Sequence, residues 1–144
     1  MHTNKASALA LVAGLAVFSV HAADAPHMRP GMWETTVQVE MPGMPVTMAP
    51  MTQRHCVTKA MLVPQNQQPG QTCKLLDHKV SGNTVTWNVE CDTEGRTMHG
   101  TGTITYTGDS SYKGKLDMTM TGGPGGTMHM TQTMSSHRVG ECTQ

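Results

Sequence analysis

The last third of the chain alternates methionine with small polar residues. The alternation is clearest from Leu116 to Met120 and from Met128 to Met134. Strict alternation is the period of a β-strand that buries one face, so the methionines of each stretch point to the same side of a sheet. The pattern predicts two neighbouring strands whose inner surface consists largely of methionine.

Alternation and turn residues predict more strands before this stretch. Apolar and polar residues alternate from Trp33 to Met41, and Gly82-Asn83 is typical of a two-residue hairpin turn. We expect an all-β fold with almost no helix and about seven antiparallel strands, arranged as an up-and-down barrel or a sandwich. The predicted strands are 33–41, 46–57, 74–81, 84–91, 96–107, a segment that begins near Tyr112, and 127 to about 134 or beyond.

The turn before Tyr112 sets which residues face each other in this region. A three-residue turn at 108–110 keeps Tyr106 and Tyr112 on one face of the sheet. The same register places Gly102 opposite Leu116. Because a glycine that faces a bulky side chain lets a strand bend, we expect the sheet to curve here.

The first residues have the pattern of a secretory signal peptide. Lys5 supplies a positive charge, Ala8 to Val20 is a short apolar run, and Val20-His21-Ala22 resembles a cleavage site. We therefore expect a signal peptide at 1–22, a polar leader at 23–32 and a single β domain at 33–144. The expected location is the periplasm, as a soluble protein, because the apolar run is too short for a membrane span.

The four cysteines are predicted to form two disulfides, since an even number in an exported chain favours them and no C-x-x-C pair supports zinc. Their pairing stays open. The Gly-Asn turn sets Leu76 opposite Val89, a register that leaves Cys73 and Cys91 on opposite faces. Strands that alternate in direction place Cys142 at the other end from the remaining three. The cysteines are Cys56, Cys73, Cys91 and Cys142.

Charge and motifs exclude several classes of function. The formal net charge is +0 and Lys and Arg are not clustered, so binding to nucleic acid or to an anionic membrane is not expected. No serine, cysteine or carboxylate stands in a recognisable nucleophile or acid–base arrangement, so we do not expect an enzyme. The expected partner is a metal ion or a small apolar ligand, and the sequence does not identify a protein partner.

Methionine is the unusual part of the composition. The chain has 14 methionines, while its single phenylalanine, Phe18, lies in the predicted signal peptide. Methionine thioethers are soft ligands that select Cu(I), and disulfides would leave no thiol to compete. Cu(I) is therefore the candidate ion, although we expect that no cofactor is required.

Two sets of residues are candidates for a Cu(I) site. The first lies in and after a proline-broken segment and comprises Met41, Met44, Met48, Met51 and His55. The second is a predicted row across three strands of the inner face, about 4.8 Å apart, and comprises Met98, Met120 and Met128. In the competing interpretation the strand methionines only fill the core, because methionine adapts to irregular gaps.

Two other binding functions fit the same pattern. Small β-barrels hold one small molecule, and methionine surfaces suit varied ligands, so the inner face could line the pocket of a carrier or sensor of an apolar ligand. A module that binds a protein partner in the cell envelope would instead present an exposed apolar patch.

Six short motifs and the four cysteines identify a family resemblance. With them the chain resembles the proteobacterial exported proteins grouped as domain of unknown function family 3617. The resemblance covers nearly the whole chain after the signal peptide. It implies a small exported single-domain protein and carries no catalytic residues. The motifs are Pro30-Gly31-Met32-Trp33-Glu34, Met41-Pro42-Gly43-Met44-Pro45, Gln53 to Cys56, Ser81-Gly82-Asn83-Thr84-Val85-Thr86-Trp87, Thr105-Tyr106-Thr107-Gly108-Asp109-Ser110 and Arg138-Val139-Gly140-Glu141-Cys142.

Overall fold

A computed structural model describes residues 24–44, 48–65 and 69–143. These residues form seven β-strands and no helix, so the all-β prediction is confirmed. The predicted signal peptide and part of the predicted second strand lie outside the described residues. The strands are β1 (Gly31–Glu40), β2 (Met51–Val57), β3 (Gln71–Ser81), β4 (Thr84–Thr93), β5 (Arg96–Thr107), β6 (Ser111–Gly123) and β7 (Gly126–Gly140).

The seven strands form one antiparallel sheet in the order β2-β1-β7-β6-β5-β4-β3. The first and last strands are neighbours, because β1 pairs with β7 on one side and with β2 on the other. Within the described ranges the edge strands β2 and β3 do not pair with each other. The predicted seven-stranded antiparallel architecture is confirmed, with the sheet open at its two edges.

One face of the sheet, called the inner face here, carries an aromatic core. The ring centroids of Trp33 and Tyr112 are 5.9 Å apart, and those of Tyr106 and Tyr112 are 5.7 Å apart. The segment after β2 crosses these rings, and the Tyr106 hydroxyl donates a hydrogen bond to the Leu62 carbonyl at 2.8 Å. The core thus lies between the sheet and its longest described connection.

The residues before β1 belong to this packing. Met28 has no exposed surface, and its backbone forms a short antiparallel bridge with Met61 in the segment after β2. The indole nitrogen of Trp33 donates to the Arg29 carbonyl at 2.8 Å. The leader predicted to be polar therefore contributes a buried methionine, and β1 begins two residues before the predicted Trp33, at Gly31.

The predicted register of β5 against β6 is confirmed. Tyr106 faces Tyr112, and Gly102 faces Leu116. Gly102 also lies beside Trp87 on β4, where an added Cβ would overlap the indole ring. Glycine at this position lets a large ring lie flat against the neighbouring strand.

The predicted register of β3 against β4 is wrong along half of its length. A β-bulge between Leu75 and Asp77 places Leu75, rather than Leu76, opposite Val89. A bulge inserts one extra residue into one strand, so every pair beyond it is shifted by one position. The shift brings the two cysteines of this hairpin face to face.

The predicted alternation of strand directions is also wrong, at the connection from β2 to β3. The sheet order makes these two strands run in the same direction, so β3 begins at the end of the sheet opposite to that at which β2 ends. Cys56 therefore meets Cys142 at one end of the sheet, and Cys73 meets Cys91 at the other. Two disulfides form, as predicted, and the pairing that the sequence left open is settled.

Candidate functional site

Six methionines line one cavity at the end of the inner face opposite the aromatic core. The registers of β5, β6 and β7 place Met98, Met120 and Met128 in one row, as predicted. Met118 and Met130 face each other in the next row. We call this group the methionine cluster, and its members are Met41, Met98, Met118, Met120, Met128 and Met130.

Alternation along three strands and the end of a fourth build the cluster. On β6 and β7, methionines two residues apart point to the same face, while Thr119 and His129 point to the other. Met41 directly follows β1, and the Pro-Gly turn after it ends the strand there. Four separate segments thus contribute methionines to the lining of one cavity.

The cavity is small, and the methionines that line it differ in their exposure to solvent. Its volume is about 60 Å³, against about 30 Å³ for one water molecule in the liquid. Met118 is only 8 % exposed, whereas Met128 is 42 % exposed, so the cluster reaches from the interior to solvent. Space of this size fits a single ion, and ligand pockets for drug-sized molecules measure roughly 300 Å³ or more.

The histidines at this level point away from the cluster. The His129 Nδ1 lies 3.2 Å from the Thr119 hydroxyl on the outer face, although His129 also borders the cavity. His99 Nδ1 lies 3.5 Å from a carboxylate oxygen of Glu90 on the same outer face. The residues that line the cavity, apart from His129, are therefore methionines, whose thioethers carry no charge and do not titrate.

Of the candidate ligands in and after the proline-broken segment, some line the cavity and others do not. Met41 joins the cluster, whereas Met44, Met48 and Met51 are 55, 39 and 57 % exposed and do not line the cavity. Residues 45–47 lie outside the described part of the chain. The sequence separated Met41 from the strand set, and the structure brings it to Met98, Met120 and Met128.

His55 lies in a different cleft. This open cleft of about 470 Å³ is also lined by Met32 and by Arg54, whose Nε donates to Glu34 at 2.8 Å. The His55 Nδ1 is buried and has no hydrogen-bond partner among the described residues. Burial lowers the pKa of this imidazole. His55 is thus separated from the methionines with which the sequence grouped it.

The alternation also predicts Met118 and Met130 on the inner face, in the row next to Met98, Met120 and Met128, although they were not among the predicted ligands. Both line the cavity, and each lies two residues from a predicted ligand, Met120 or Met128.

The described residues contain neither a cluster of charged or imidazole metal ligands nor a long apolar helix. No group of three or more His, Cys, Asp and Glu side chains is arranged to hold a metal ion in the part of the chain that the structure describes. Across the same ranges, no helix has the length and apolar character needed to cross a membrane.

Comparison with known proteins identifies a family. No curated protein and no solved structure shows a significant match to the chain. A family model described as "Protein of unknown function (DUF3617)" matches residues 28–142. The matched range contains all seven strands and all four cysteines. The chain therefore belongs to the family of proteins of unknown function DUF3617.

Proposed function

We propose that this protein is a binding protein, rather than an enzyme, and that it binds Cu(I) at the methionine cluster. The observation that carries the proposal is that six methionines, from four segments of the chain, line a cavity of about 60 Å³. Neighbouring strands are about 4.8 Å apart, and the methionine side chain has three rotatable bonds, so three sulfurs from adjacent strands can reach one ion.

The chemistry of the donors favours Cu(I) among metal ions. Soft thioethers select Cu(I), whereas carboxylate and carbonyl oxygens suit Mg²⁺, Ca²⁺ and Mn²⁺. All four thiols are held in disulfides, so methionine supplies the accessible sulfur of the described chain. Met128, at 42 % exposure, gives an ion a route from solvent to the buried Met118.

Packing alone is the competing explanation of the cluster. The aromatic core does use methionine for packing, since Met28 and Met134 are 0 and 7 % exposed and lie within it. The six cluster methionines are not members of that core. The chain therefore offers two sets of methionines that a binding experiment can compare.

The test is an anaerobic Cu(I) titration of the disulfide-intact protein against a competing chromogenic chelator. The cluster variant carries Met98→Leu, Met120→Leu and Met128→Leu, since leucine keeps the apolar bulk and removes the sulfur. We expect one Cu(I) per chain with a dissociation constant below micromolar. In the variant we expect at least a hundredfold weaker binding, which corresponds to about 2.7 kcal/mol.

Two control variants make the result specific. Met28→Leu with Met134→Leu changes core methionines and is expected to leave the affinity unchanged. A second control replaces the exposed Met44, Met48 and Met51 by leucine. The proposal is wrong if the wild type binds no tighter than micromolar, or if only the second control loses binding.

We propose further that residues 1–22 are removed as a signal peptide and that the mature protein resides in the periplasm. Two disulfides support this location, because such bonds persist in oxidising compartments. Cell fractionation and amino-terminal sequencing test the proposal. A protein found in the cytoplasm with an intact amino terminus would contradict it.

A small apolar ligand is the second candidate, favoured by the cleft of about 470 Å³ beside His55 and Met32. Its volume lies in the usual range of ligand pockets. Displacement of an environment-sensitive apolar dye tests this function, with Val139→Asp as the variant that places a charge on the cleft wall. Dye binding that is absent, or that is unchanged in the variant, would exclude it.

A further inference from the structure

Strand β3 forms an edge of the sheet and exposes apolar side chains. In the described structure it pairs with β4 alone, so one row of its backbone N–H and C=O groups has no strand beside it. Leu75, Leu76 and Val80 are 41, 48 and 39 % exposed. Free backbone groups beside exposed apolar residues favour the addition of another strand.

We propose that the added strand is β3 of a second copy of this chain, paired antiparallel so that His78 of each copy faces His78 of the other. The two sheets would then continue into one sheet across a two-fold axis. Such an interface uses the same residues twice, so its sequence has to be complementary to itself.

The charges of β3 select this register. A two-fold axis perpendicular to the sheet keeps each side chain on its own face, so every allowed register has one residue opposite its own copy. If that residue is Asp77, two carboxylates face each other, and if it is Lys79, two ammonium groups do. If it is His78, Asp77 faces Lys79 of the second copy, and the reverse pair forms as well. Opposite charges directly across a ladder stabilise it, and like charges destabilise it.

The same register pairs the exposed apolar side chains. Leu76 faces Val80 of the second copy, and Val80 faces Leu76 of the second copy. Both residues are more than one-third exposed in the single chain, so the pairing removes apolar surface from water. Charge pairing and apolar burial therefore favour the same register.

The other edge of the sheet lacks this self-complementarity. Arg54 is the only charged residue of β2, apart from the titratable His55. A second β2 would set no opposite charges against it. The edge that fits another copy of this chain is therefore β3. The proposal does not depend on copper binding, because the methionine cluster belongs to other strands.

Charge reversal on the full disulfide-bonded protein tests the proposal, with mass measured by light scattering and sedimentation at low salt. We expect the wild type to dimerise. Asp77→Lys sets lysine against lysine, and Lys79→Asp sets aspartate against aspartate, so each variant alone should dimerise at least tenfold more weakly. An equimolar mixture of the two variants restores both opposite-charge pairs and should form a 1:1 heterodimer in native mass spectrometry.

Each outcome decides the question, provided that far-UV circular dichroism and thiol assays show both variants folded with their disulfides intact. A wild type that remains monomeric at millimolar concentration overturns the proposal. Variants that dimerise as well as the wild type overturn it too, and so does a mixture that forms no heterodimer. Because salt screens exposed charges, the heterodimer of the two variants should form more weakly in 1 M salt.

Discussion

Breaking the disulfide between Cys56 and Cys142 is expected to destabilise the domain more than breaking that between Cys73 and Cys91. A disulfide restricts the unfolded chain, and the restriction grows with the logarithm of the loop that it closes. The loops span 86 and 18 residues. The chain-entropy relation then gives about 4.6 kcal/mol for the longer loop and about 3.2 kcal/mol for the shorter one. The predicted difference is about 1.4 kcal/mol.

The assay is equilibrium unfolding in urea, followed by tryptophan fluorescence. Each bond is broken at its more exposed half, by Cys56→Ala or Cys73→Ala, so that the buried sulfur of Cys91 stays in the core. Mildly acidic pH slows exchange of the remaining bond with the freed thiol. Equal losses in the two variants, or a larger loss in Cys73→Ala, would refute the reasoning from loop length.

Three further predictions concern packing, a hydrogen bond and pH. Gly102→Ala should lower the free energy of unfolding by about 1–3 kcal/mol, because the new Cβ overlaps the Trp87 ring, and an unchanged urea midpoint would contradict this. Tyr106→Phe removes the donor to the Leu62 carbonyl, 2.8 Å away, and should cost about 1 kcal/mol in the same assay, a loss that a wild-type midpoint would disprove. Burial lowers the pKa of His55 below 6.5, so the unfolded chain takes up this proton first as the pH falls. Stability should therefore decline below pH 6.5, less steeply in His55→Gln, and identical pH profiles would argue against that role.

The strands from β5 to β7 were predictable because local signals agreed there. A three-residue turn fixes the register of β5 against β6, and the alternation of methionine fixes the face of each strand. Tyr106 and Tyr112 then have to lie on the same side. Where turn length and alternation point to the same register, the sequence determines which side chains face each other.

The sheet order and the cysteine pairs depended on features that have no local signal. The bulge at Leu75–Asp77 lies within an ordinary run of polar and apolar residues, and it moves Cys73 into register with Cys91. The strands β2 and β3 run in the same direction, and Leu62 and Val63 between them pack on the aromatic core, a contact distant in sequence. The missing information was therefore long-range, and without it the sequence alone could not order the strands.

The candidate site was predictable in part for the same reason. The row of Met98, Met120 and Met128 follows from two hairpin registers, which are local. Met41 joins the methionine cluster only because β1 pairs with β7, at the far end of the chain. The strands β1 and β7 come from opposite ends of the sequence. No local pattern predicts that they pair, so no local pattern predicts a ligand that this pair brings to the cluster.

Because β7 lies between β6 and β1, the sheet is complete only after the last strand of the chain has been added. A chain that emerges from its amino end can pair β1 with β2 and close the hairpins of β3 to β6 early, whereas β7, the second neighbour of β1, is made last. Cys73 can then bond with Cys91 locally, but Cys56 stays a reactive thiol until Cys142 arrives. A chain that stopped short of β7 would lack Cys142 and keep Cys56 as a thiol, so a thiol assay would separate finished from unfinished molecules.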